Sequence, residues 1–298
     1  MELACLASGS DGNALMVRHG ATCVLVDCGL STVQFGRRLE LVGLRAEEIG
    51  AVFVSHEHGD HVSGLEVFAR RFGIPVYMTR GTAKALSRRR RATSSGSSSP
   101  FCPVRAGEPL WFDGLEILPF RISHDAAEPV GFRFQSAGGL RLGIVTDTGT
   151  PTPEALEALA GCHVLGLEAN HCVDMLARGP YPRVLKRRIL SDCGHLSNRA
   201  AAGLLAQVAG EDLSAVVALH LSKVNNTPAL AVAALSAELA RLGLAADAHA
   251  GGAGGRPVWF SADTTDKKVT AAAGTGRCYV TCRRMGRRPA FTALGVDL

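Results

Sequence analysis

The chain has 298 residues, of which 47% are apolar and 20% are charged, and its formal net charge is +5. This composition provides apolar material for one large core or two ordinary ones and indicates a globular protein. No stretch approaches the roughly eighteen apolar residues of a membrane span, and the N-terminus lacks a basic region followed by an apolar one. We therefore expect a cytoplasmic protein without a membrane partner.

The basic residues are placed unevenly along the chain. From residue 261 onward, seven Lys or Arg stand against three Asp, so the rest of the chain is nearly neutral. Two local clusters lie at residues 88–91 and at Arg183 with residues 186–188. Basic clusters attract phosphodiester backbones by releasing counterions, although solvated surfaces show the same pattern. The clusters give weak support for a nucleic-acid substrate.

The nine cysteines are odd in number and contain no CxxC pair. This pattern indicates neither a disulfide framework nor a zinc ribbon. We expect them to be buried apolar side chains in a reducing compartment, and we interpret the close pair Cys278 and Cys282 as incidental.

The segment Ser55 to His61, with the sequence SHEHGDH, concentrates ionisable side chains between a predicted strand and a predicted helix. In an extended segment alternate side chains face the same way, so His56, His58 and Asp60 can converge while His61 opens the helix. Imidazole and carboxylate suit Zn, Mn and Fe, and four of them together without a cation would leave polar groups unpaired. The alternative is a polar loop with scattered surface histidines.

Apolar periodicity and turn residues predict the remaining elements. A flexible Arg- and Ser-rich loop is expected at 87–105, one domain over 1–260, and a basic, largely irregular tail over 261–298. Two sheets should face each other with helices outside. The predicted strands are 3–7, 14–17, 22–29, 51–54, 75–78, 110–112, 115–122, 130–135, 140–146, 164–168, 215–219 and 277–281. The predicted helices are 31–42, 62–71, 81–86, 152–160, 196–208 and 228–242.

The segment from His56 to His61 resembles the His-x-His-x-Asp-His signature of the metallo-β-lactamase-fold hydrolases. That family implies an α/β fold, an αββα sandwich of two mixed sheets flanked by helices, and the predicted element order is compatible with it. The resemblance also implies two divalent metal ions, Zn²⁺ or Mn²⁺, which generate an attacking hydroxide. The implied ligands are His56, His58 and His124 on one metal, Asp60, His61 and His220 on the other, and Asp147 bridging both.

Two of the aspartates have competing interpretations. Asp147 lies in Thr-Asp-Thr-Gly, similar to the bridging motif of the family, and a carboxylate can give one oxygen to each of two close cations. It could instead cap the helix predicted at 152–160. Asp27, in Asp-Cys-Gly, resembles an Asp-x-Gly turn that orients a ligand, but it could equally cap the helix predicted at 31–42.

Further segments resemble the ribonuclease-Z-like phosphodiesterases. Glu-Ala-Asn-His from Glu168 and Gly-His-Leu-Ser around His195 imply that Glu168 orients His195, which protonates the leaving group. His195 could also serve only as the start of the helix beginning at Leu196. We assign Asp60, Glu168 and His195 as catalytic and Asn170 and His171 as substrate contacts.

Together with Leu-Ala-Ser-Gly-Ser-x-Gly-Asn from Leu6 and His-Leu-Ser-x-x-Asn-Asn from His220, these motifs are similar to the YycJ/WalJ branch of the metallo-β-lactamase fold. The similarity is in register over residues 1 to about 230. This resemblance implies a dimetal nuclease acting on nucleic acid, most specifically a DNA 5′-to-3′ exonuclease. Departures from the branch are the Ser-rich loop, the tail, and Cys172, where an acidic residue is usual. The alternatives are a hydrolase of thioesters, lactones or cyclic phosphodiesters at the same site, and a binding protein without activity.

Overall fold

Two seven-stranded sheets organise the residues that the computed structural model describes, which are 1–92, 101–251, 257 and 259–261. The first sheet contains β1 (Glu2–Ala7), β2 (Ala14–His19), β3 (Thr22–Val26), β4 (Ala51–Phe53), β5 (Val76–Thr79), β6 (Cys102–Val104) and β14 (Trp259–Ser261). Their order across the sheet is β14-β1-β2-β3-β4-β5-β6. Neighbours are antiparallel from β14 to β3 and parallel from β3 to β6.

The second sheet contains β7 (Leu110–Phe112), β8 (Leu115–Arg121), β9 (Val130–Ser136), β10 (Arg141–Val145), β11 (Val164–Glu168), β12 (Ala215–Leu219) and β13 (Asp247–Ala250). Its order is β13-β12-β11-β10-β9-β8-β7, with parallel pairing from β10 to β13 and antiparallel pairing elsewhere. The central strands β11 and β12 are buried along their whole length, as expected for apolar strands covered on both faces.

Helices cover the outer faces of both sheets. α1 (Thr32–Leu41), α2 (Gly59–Val62), α3 (Leu65–Phe72) and α4 (Arg80–Ala92) interrupt the strands of the first sheet. α5 (Pro153–Leu159), α6 (Val173–Arg178), α7 (Arg183–Ile189), α8 (Asn198–Val208) and α9 (Pro228–Leu242) follow the strands of the second, and a short 3₁₀ turn lies at Ala46–Glu48. The predicted αββα sandwich of two mixed sheets is confirmed.

The main core fills the space between the two sheets. Phe53 from the first sheet stacks on Tyr77 with ring centroids 4.7 Å apart and meets Phe132 of the second sheet edge-on at 5.8 Å. Separate apolar clusters lie under the helices on each outer face. Each sheet is therefore fixed on both sides, which holds the loops at the carboxyl ends of the parallel strands in place.

The structure corrects several predicted boundaries. The helix predicted at 81–86 extends to Ala92, because Ala, Leu, Lys and Arg are all strong helix formers and the Ser-rich segment begins only afterwards. The loop predicted at 87–105 is therefore too long, since its first residues are helical and Cys102–Val104 forms β6. The helix predicted at 62–71 corresponds to α3, which begins only at Leu65, whereas Val62 is the last residue of the separate short helix α2.

Two short helices, α6 and α7, were not predicted, because Gly179 and two prolines divide that segment into pieces too short to show periodicity. Residue Ser261, where the predicted tail begins, belongs to β14. The rest of the tail, including the strand predicted at 277–281 and the last two cysteines, lies outside the described residues. The division into a domain at 1–260 and a tail stays a prediction.

Seven cysteines lie in the described residues and all are free thiols, as expected. Cys5, Cys23, Cys28 and Cys162 are buried apolar side chains, and Cys102 and Cys172 are partly exposed. Cys193 is exposed because it lies in the turn between α7 and α8. Among the helices of the described chain, none combines the length and apolarity needed to cross a bilayer. The cytoplasmic location stays a prediction.

Candidate metal centre

The predicted ligands meet where parallel strands of both sheets end. His56 follows β4, Asp147 follows β10 and His220 follows β12. Asp147 and His220 adopt left-handed backbone angles, with φ of 58° and 54°. Such angles are uncommon outside glycine and turn the chain sharply at the strand end, which aims both side chains at the same point.

Three imidazoles form the first group of candidate ligands. His56 Nε2 lies 3.0 Å from His58 Nδ1, and His124 Nε2 lies 3.2 Å from the same His58 atom. His56 and His124 are buried, and His58 is partly exposed. These three nitrogen atoms can therefore approach one cation from three directions.

The second group combines a carboxylate with two imidazoles. Asp60 Oδ2 lies 3.5 Å from both His61 Nε2 and His220 Nε2. Asp60 was predicted in an extended segment, but it lies in the first turn of α2, which begins at Gly59. The tighter rise of a helix brings Asp60 and His61 to the same side as the histidines before them.

Asp147 lies between the two groups. Its Oδ2 is 3.1 Å from His61 Nε2 in the second group, and its Oδ1 is 3.9 Å from His124 Nε2 in the first. Oδ1 also lies 3.4 Å from His220 Nδ1, so the Asp147 carboxylate contacts side chains of both groups, as expected for a bridging ligand. The competing interpretation of Asp147 as a helix cap is wrong, because Thr152 caps α5 through a bond from Ala155 N.

Hydrogen bonds fix which ring nitrogen of three buried histidines carries the proton. His61 Nδ1 donates to Asp27 Oδ2 at 2.7 Å, and His124 Nδ1 donates to the carbonyl oxygen of Cys193 at 3.1 Å. His56 Nδ1 donates to Ser55 Oγ at 3.0 Å, since that hydroxyl donates its own proton to Asp27. The Nε2 atoms of these histidines are left unprotonated and face the centre, as metal-ligating histidines require.

The atoms facing the centre fit a divalent cation. Asp147 Oδ2 and His220 Nε2 are buried and have no hydrogen-bond partner among the described residues. A buried carboxylate oxygen and an imidazole lone pair without partners are costly, and a cation bound between them would satisfy both. Nitrogen and oxygen donors without thiolate suit Zn²⁺ and Mn²⁺ alike.

Glu168 anchors the other side of the centre. Its Oε1 accepts from His195 Nδ1 at 2.8 Å and from His220 Nδ1 at 3.0 Å, and its Oε2 accepts from the backbone N–H groups of Thr148 and Leu196. Burial by itself would raise the pKa of Glu168, but the charge and hydrogen bonds of the two histidines outweigh it and lower this pKa to about 2. Glu168 is therefore an ionised carboxylate with four donors.

His195 is held beside the metal ligands and remains partly exposed. Its ring centroid is 5.4 Å from that of His124 and 5.2 Å from that of His220. Desolvation opposes protonation, yet the Glu168 carboxylate outweighs it and raises the pKa of His195. Ser197 caps α8 instead, so the interpretation of His195 as a mere helix start is not supported.

Comparison with known proteins identifies the family. A family model described as a beta-lactamase superfamily domain matches residues 22–221. The exodeoxyribonuclease YycJ of Bacillus anthracis is 35% identical over 238 residues, which cover 80% of this chain and 89% of that protein. The chain belongs to the YycJ/WalJ branch of the metallo-β-lactamase superfamily.

A second exodeoxyribonuclease agrees with this placement, and a solved structure shares the fold. The exodeoxyribonuclease WalJ of Streptococcus pneumoniae is 33% identical over 239 residues, covering 80% of this chain and 88% of that protein. The crystal structure of Zn²⁺-bound PqqB from Methylobacterium extorquens superimposes with a TM-score of 0.63 at 18% identity, covering 88% of this chain and all of that one. At 18% identity, the likeness to PqqB shows a shared fold alone.

The two predicted substrate contacts occupy different environments in this metallo-β-lactamase fold. Asn170 Nδ2 donates to the backbone carbonyl of His220 at 2.9 Å, so it holds a ligand loop in place. His171 is 1% exposed, and neither ring nitrogen has a partner among the described residues. Burial lowers the pKa of His171 to about 4 and leaves the ring neutral. Their role in substrate binding stays a prediction.

Sequence reasoning missed the residues that support the ligands. Asn13 Nδ2 lies 3.2 Å from Asp60 Oδ2 and 3.0 Å from His61 Nε2. Ser55 donates to Asp27 through both its N–H and its hydroxyl, and Asp27 in turn contacts His61, as its predicted role of orienting a ligand requires. α1 is capped by Ser31 instead. Asn13 belongs to the Gly-Ser-x-Gly-Asn segment used to identify the branch, so its position was visible although its contact was not.

Proposed function

We propose that this metallo-β-lactamase-fold protein is a phosphodiesterase that hydrolyses nucleic acid, and specifically DNA as a 5′-to-3′ exonuclease. The observation that carries this proposal is the Glu168–His195 pair beside the ligand cluster, with His195 Nδ1 2.8 Å from Glu168 Oε1. Hydrolysis of a phosphodiester expels an alkoxide, which leaves far more readily when an acid protonates it. The thiolate expelled from a thioester is already a stabilised anion, so its departure gains little from such an acid.

The chain supplies positions for both halves of the reaction. His56, His58 and His124 would hold one divalent ion and Asp60, His61 and His220 a second, with Asp147 shared between them. When bound, such ions polarise the ester and lower the pKa of a nearby water. Glu168 keeps the Nδ1 proton of His195 in place, so that Nε2 points away from Glu168 and can deliver a proton to the leaving oxygen.

The similarity to YycJ and WalJ, both named exodeoxyribonucleases, supports DNA as the substrate. The chain spans nearly nine-tenths of each of these relatives, so the proposal concerns a comparable catalytic unit. The choice of two ions, their identity as Zn²⁺ or Mn²⁺, and the direction of cleavage all belong to the proposal.

A comparison of substrates tests this function. Protein loaded with Zn²⁺ or Mn²⁺ is given single- and double-stranded DNA and RNA labelled at either end, beside a chromogenic thioester. We expect release of nucleotides from the 5′ end of DNA, and a loss of about 10² to 10⁴ in rate for His195→Ala. His19→Ala, which changes a histidine at the end of β2 away from the ligands, is the matched control. Turnover of the thioester alone would contradict the proposal.

A further inference from the structure

We propose that Arg188, on α7, binds the phosphate next to the scissile one, so that the substrate is a polynucleotide strand rather than an isolated phosphodiester. This inference rests on the proposed function and deepens it. Arg188 would contact the strand beyond the metal centre, so the strand would leave the centre towards α7.

The helix that carries Arg188 is strongly basic. α7 spans Arg183–Ile189 and contains three arginines and one lysine but no acidic residue. Lys186 Nζ donates to the carbonyl oxygen of Ala177, which ties the helix to the end of α6. The arginines are exposed, with Arg188 at 56% of its side chain. A surface of this kind attracts the phosphates of a strand.

The backbone of α7 is fixed against the catalytic loop. His195 N donates to the carbonyl oxygen of Ile189 at 3.0 Å. A Cβ at Gly194 would lie 2.3 Å from the carbonyl oxygen of Arg188, so only glycine permits this close approach. The end of α7 is thus bonded directly to the residue proposed as the acid.

The side chain of Arg188 reaches the opposite side of the site. Its Nε donates to Asp125 Oδ2 at 2.6 Å, and Asp125 Oδ1 lies 3.5 Å from His124 Nε2, the ligand atom that faces the centre. Arg188 therefore spans from the His195 loop to the His124 loop. Its guanidinium stands at the rim of the metal centre instead of on a remote surface.

The remaining donors of Arg188 are available to a substrate. Among the described residues only Nε has a partner, which leaves both terminal amino groups of the guanidinium for another acceptor. A planar guanidinium matches two phosphate oxygens at once, and Asp125 fixes its orientation in advance. When one phosphodiester lies at the metal centre, the next one along the strand would lie at this rim.

The first test compares two substrates with the metal-loaded full chain. Arg188→Ala should reduce kcat/KM on a single-stranded oligonucleotide about tenfold more than on bis(p-nitrophenyl) phosphate, which has only one phosphate. Arg188→Lys keeps the charge but loses the planar fork, so its loss should be intermediate. Arg241→Ala is the matched control, because Arg241 also donates its Nε to a carboxylate, Glu238, on the distant end of α9.

The second test measures binding without turnover. In excess chelator, the affinity of the full chain for a fluorescent oligonucleotide falls as salt rises, and Arg188→Ala should reduce the slope of log K against log salt by about 0.7, the value for one phosphate of a single strand. Arg241→Ala should leave the slope unchanged.

The outcomes separate this inference from the proposed function. If the wild-type protein cleaves the oligonucleotide but Arg188→Ala loses equally on both substrates and keeps the salt slope, the Arg188 contact is wrong while the nuclease function stands. If the wild-type protein hydrolyses only the chromogenic diester, the nucleic-acid function and the Arg188 contact both fail.

Discussion

At the scale of single residues, Glu168 contacts both the proposed acid and a proposed metal ligand. One oxygen accepts hydrogen bonds from both His195, the proposed acid, and His220, a proposed ligand. The other oxygen accepts hydrogen bonds from two backbone N–H groups. Burial opposes ionisation of Glu168, but the charge of His195 and the hydrogen bonds from both histidines favour it and hold the pKa of Glu168 at about 2. The carboxylate therefore fixes the acid relative to the metal centre.

This shared contact predicts that Glu168→Gln impairs metal binding as well as catalysis. A neutral amide cannot accept from both imidazoles with the same strength, and outer contacts of this kind contribute about 10- to 100-fold to metal affinity. We expect that loss in a chelator-competition titration, together with at least about 10² in turnover on DNA. Glu116→Gln, which changes a carboxylate bonded to Arg133, is the control. Normal metal affinity with low turnover would show that Glu168 serves His195 alone.

The sequence could predict the individual ligands but not this connection. His56, His58, Asp60 and His61 lie within six residues, so local geometry already brings them together. The contact between Glu168 and His220 depends on the parallel pairing of β11 with β12, in which Glu168 aligns with Leu219. Pairing between strands 51 residues apart leaves no local signal, because it is decided by the packing of the whole sheet.

At the scale of elements, the site depends on three loops that interlock through their backbones. Asn13 N donates to the carbonyl oxygen of Asp60 at 2.7 Å, and Gly29 N donates to the carbonyl oxygen of Asn13 at 2.9 Å. The loops follow β1, β3 and β4, so the first sheet presents them side by side. A ligand such as Asp60 is positioned by this network as much as by its own short helix.

Gly29 should be the most sensitive position of this network. A Cβ there would lie 1.6 Å from the carbonyl oxygen of Asp60, so Gly29→Ala must push the α2 loop away, with an expected loss of about 1–3 kcal/mol or more in the free energy of unfolding. Gly36, inside α1, has nothing within 4 Å of its added Cβ. Gly36→Ala should therefore raise the free energy of unfolding by about 0.5–1 kcal/mol.

Urea denaturation of the metal-free proteins measures both changes, and metal titration shows whether Asp60 has moved. Opposite signs for the two glycine variants are expected. If Gly29→Ala were as stable as the parent, the close contact between these loops would not exist in solution.

Elements with strong periodicity, such as α9 and β11, were predicted with the bounds that the structure shows. The strands β6, β13 and β14 were not predicted, and neither were the helices α6 and α7, which are only six and seven residues long and are separated by Gly179 and prolines. A helix that short gains little from its own hydrogen bonds and is stabilised by tertiary contacts, such as that between Ile189 and His195. Sequence patterns do not contain those contacts.

At the scale of the whole molecule, the metal centre connects the two sheets. His56, His58, Asp60 and His61 follow β4 of the first sheet, whereas His124, Asp147 and His220 follow strands of the second. Cations bound by both groups would add a link between the sheets that the unfolded chain cannot make. Metal binding should therefore contribute to the stability of the fold as well as to its chemistry.

Removal of the metal should lower the melting temperature of the whole domain. An ion present at a hundred times its dissociation constant contributes about 2.7 kcal/mol, which corresponds to a fall of about 5–10 °C on chelation for a domain of this size. Asp147→Asn is the informative variant, because asparagine tolerates the left-handed φ of 58° at this position but gives up the second anionic oxygen. Its melting temperature should respond much less to chelator than that of the parent, and its metal content should fall below two ions per chain. A parent protein that melts at the same temperature with and without chelator would show that no cation bridges the two sheets.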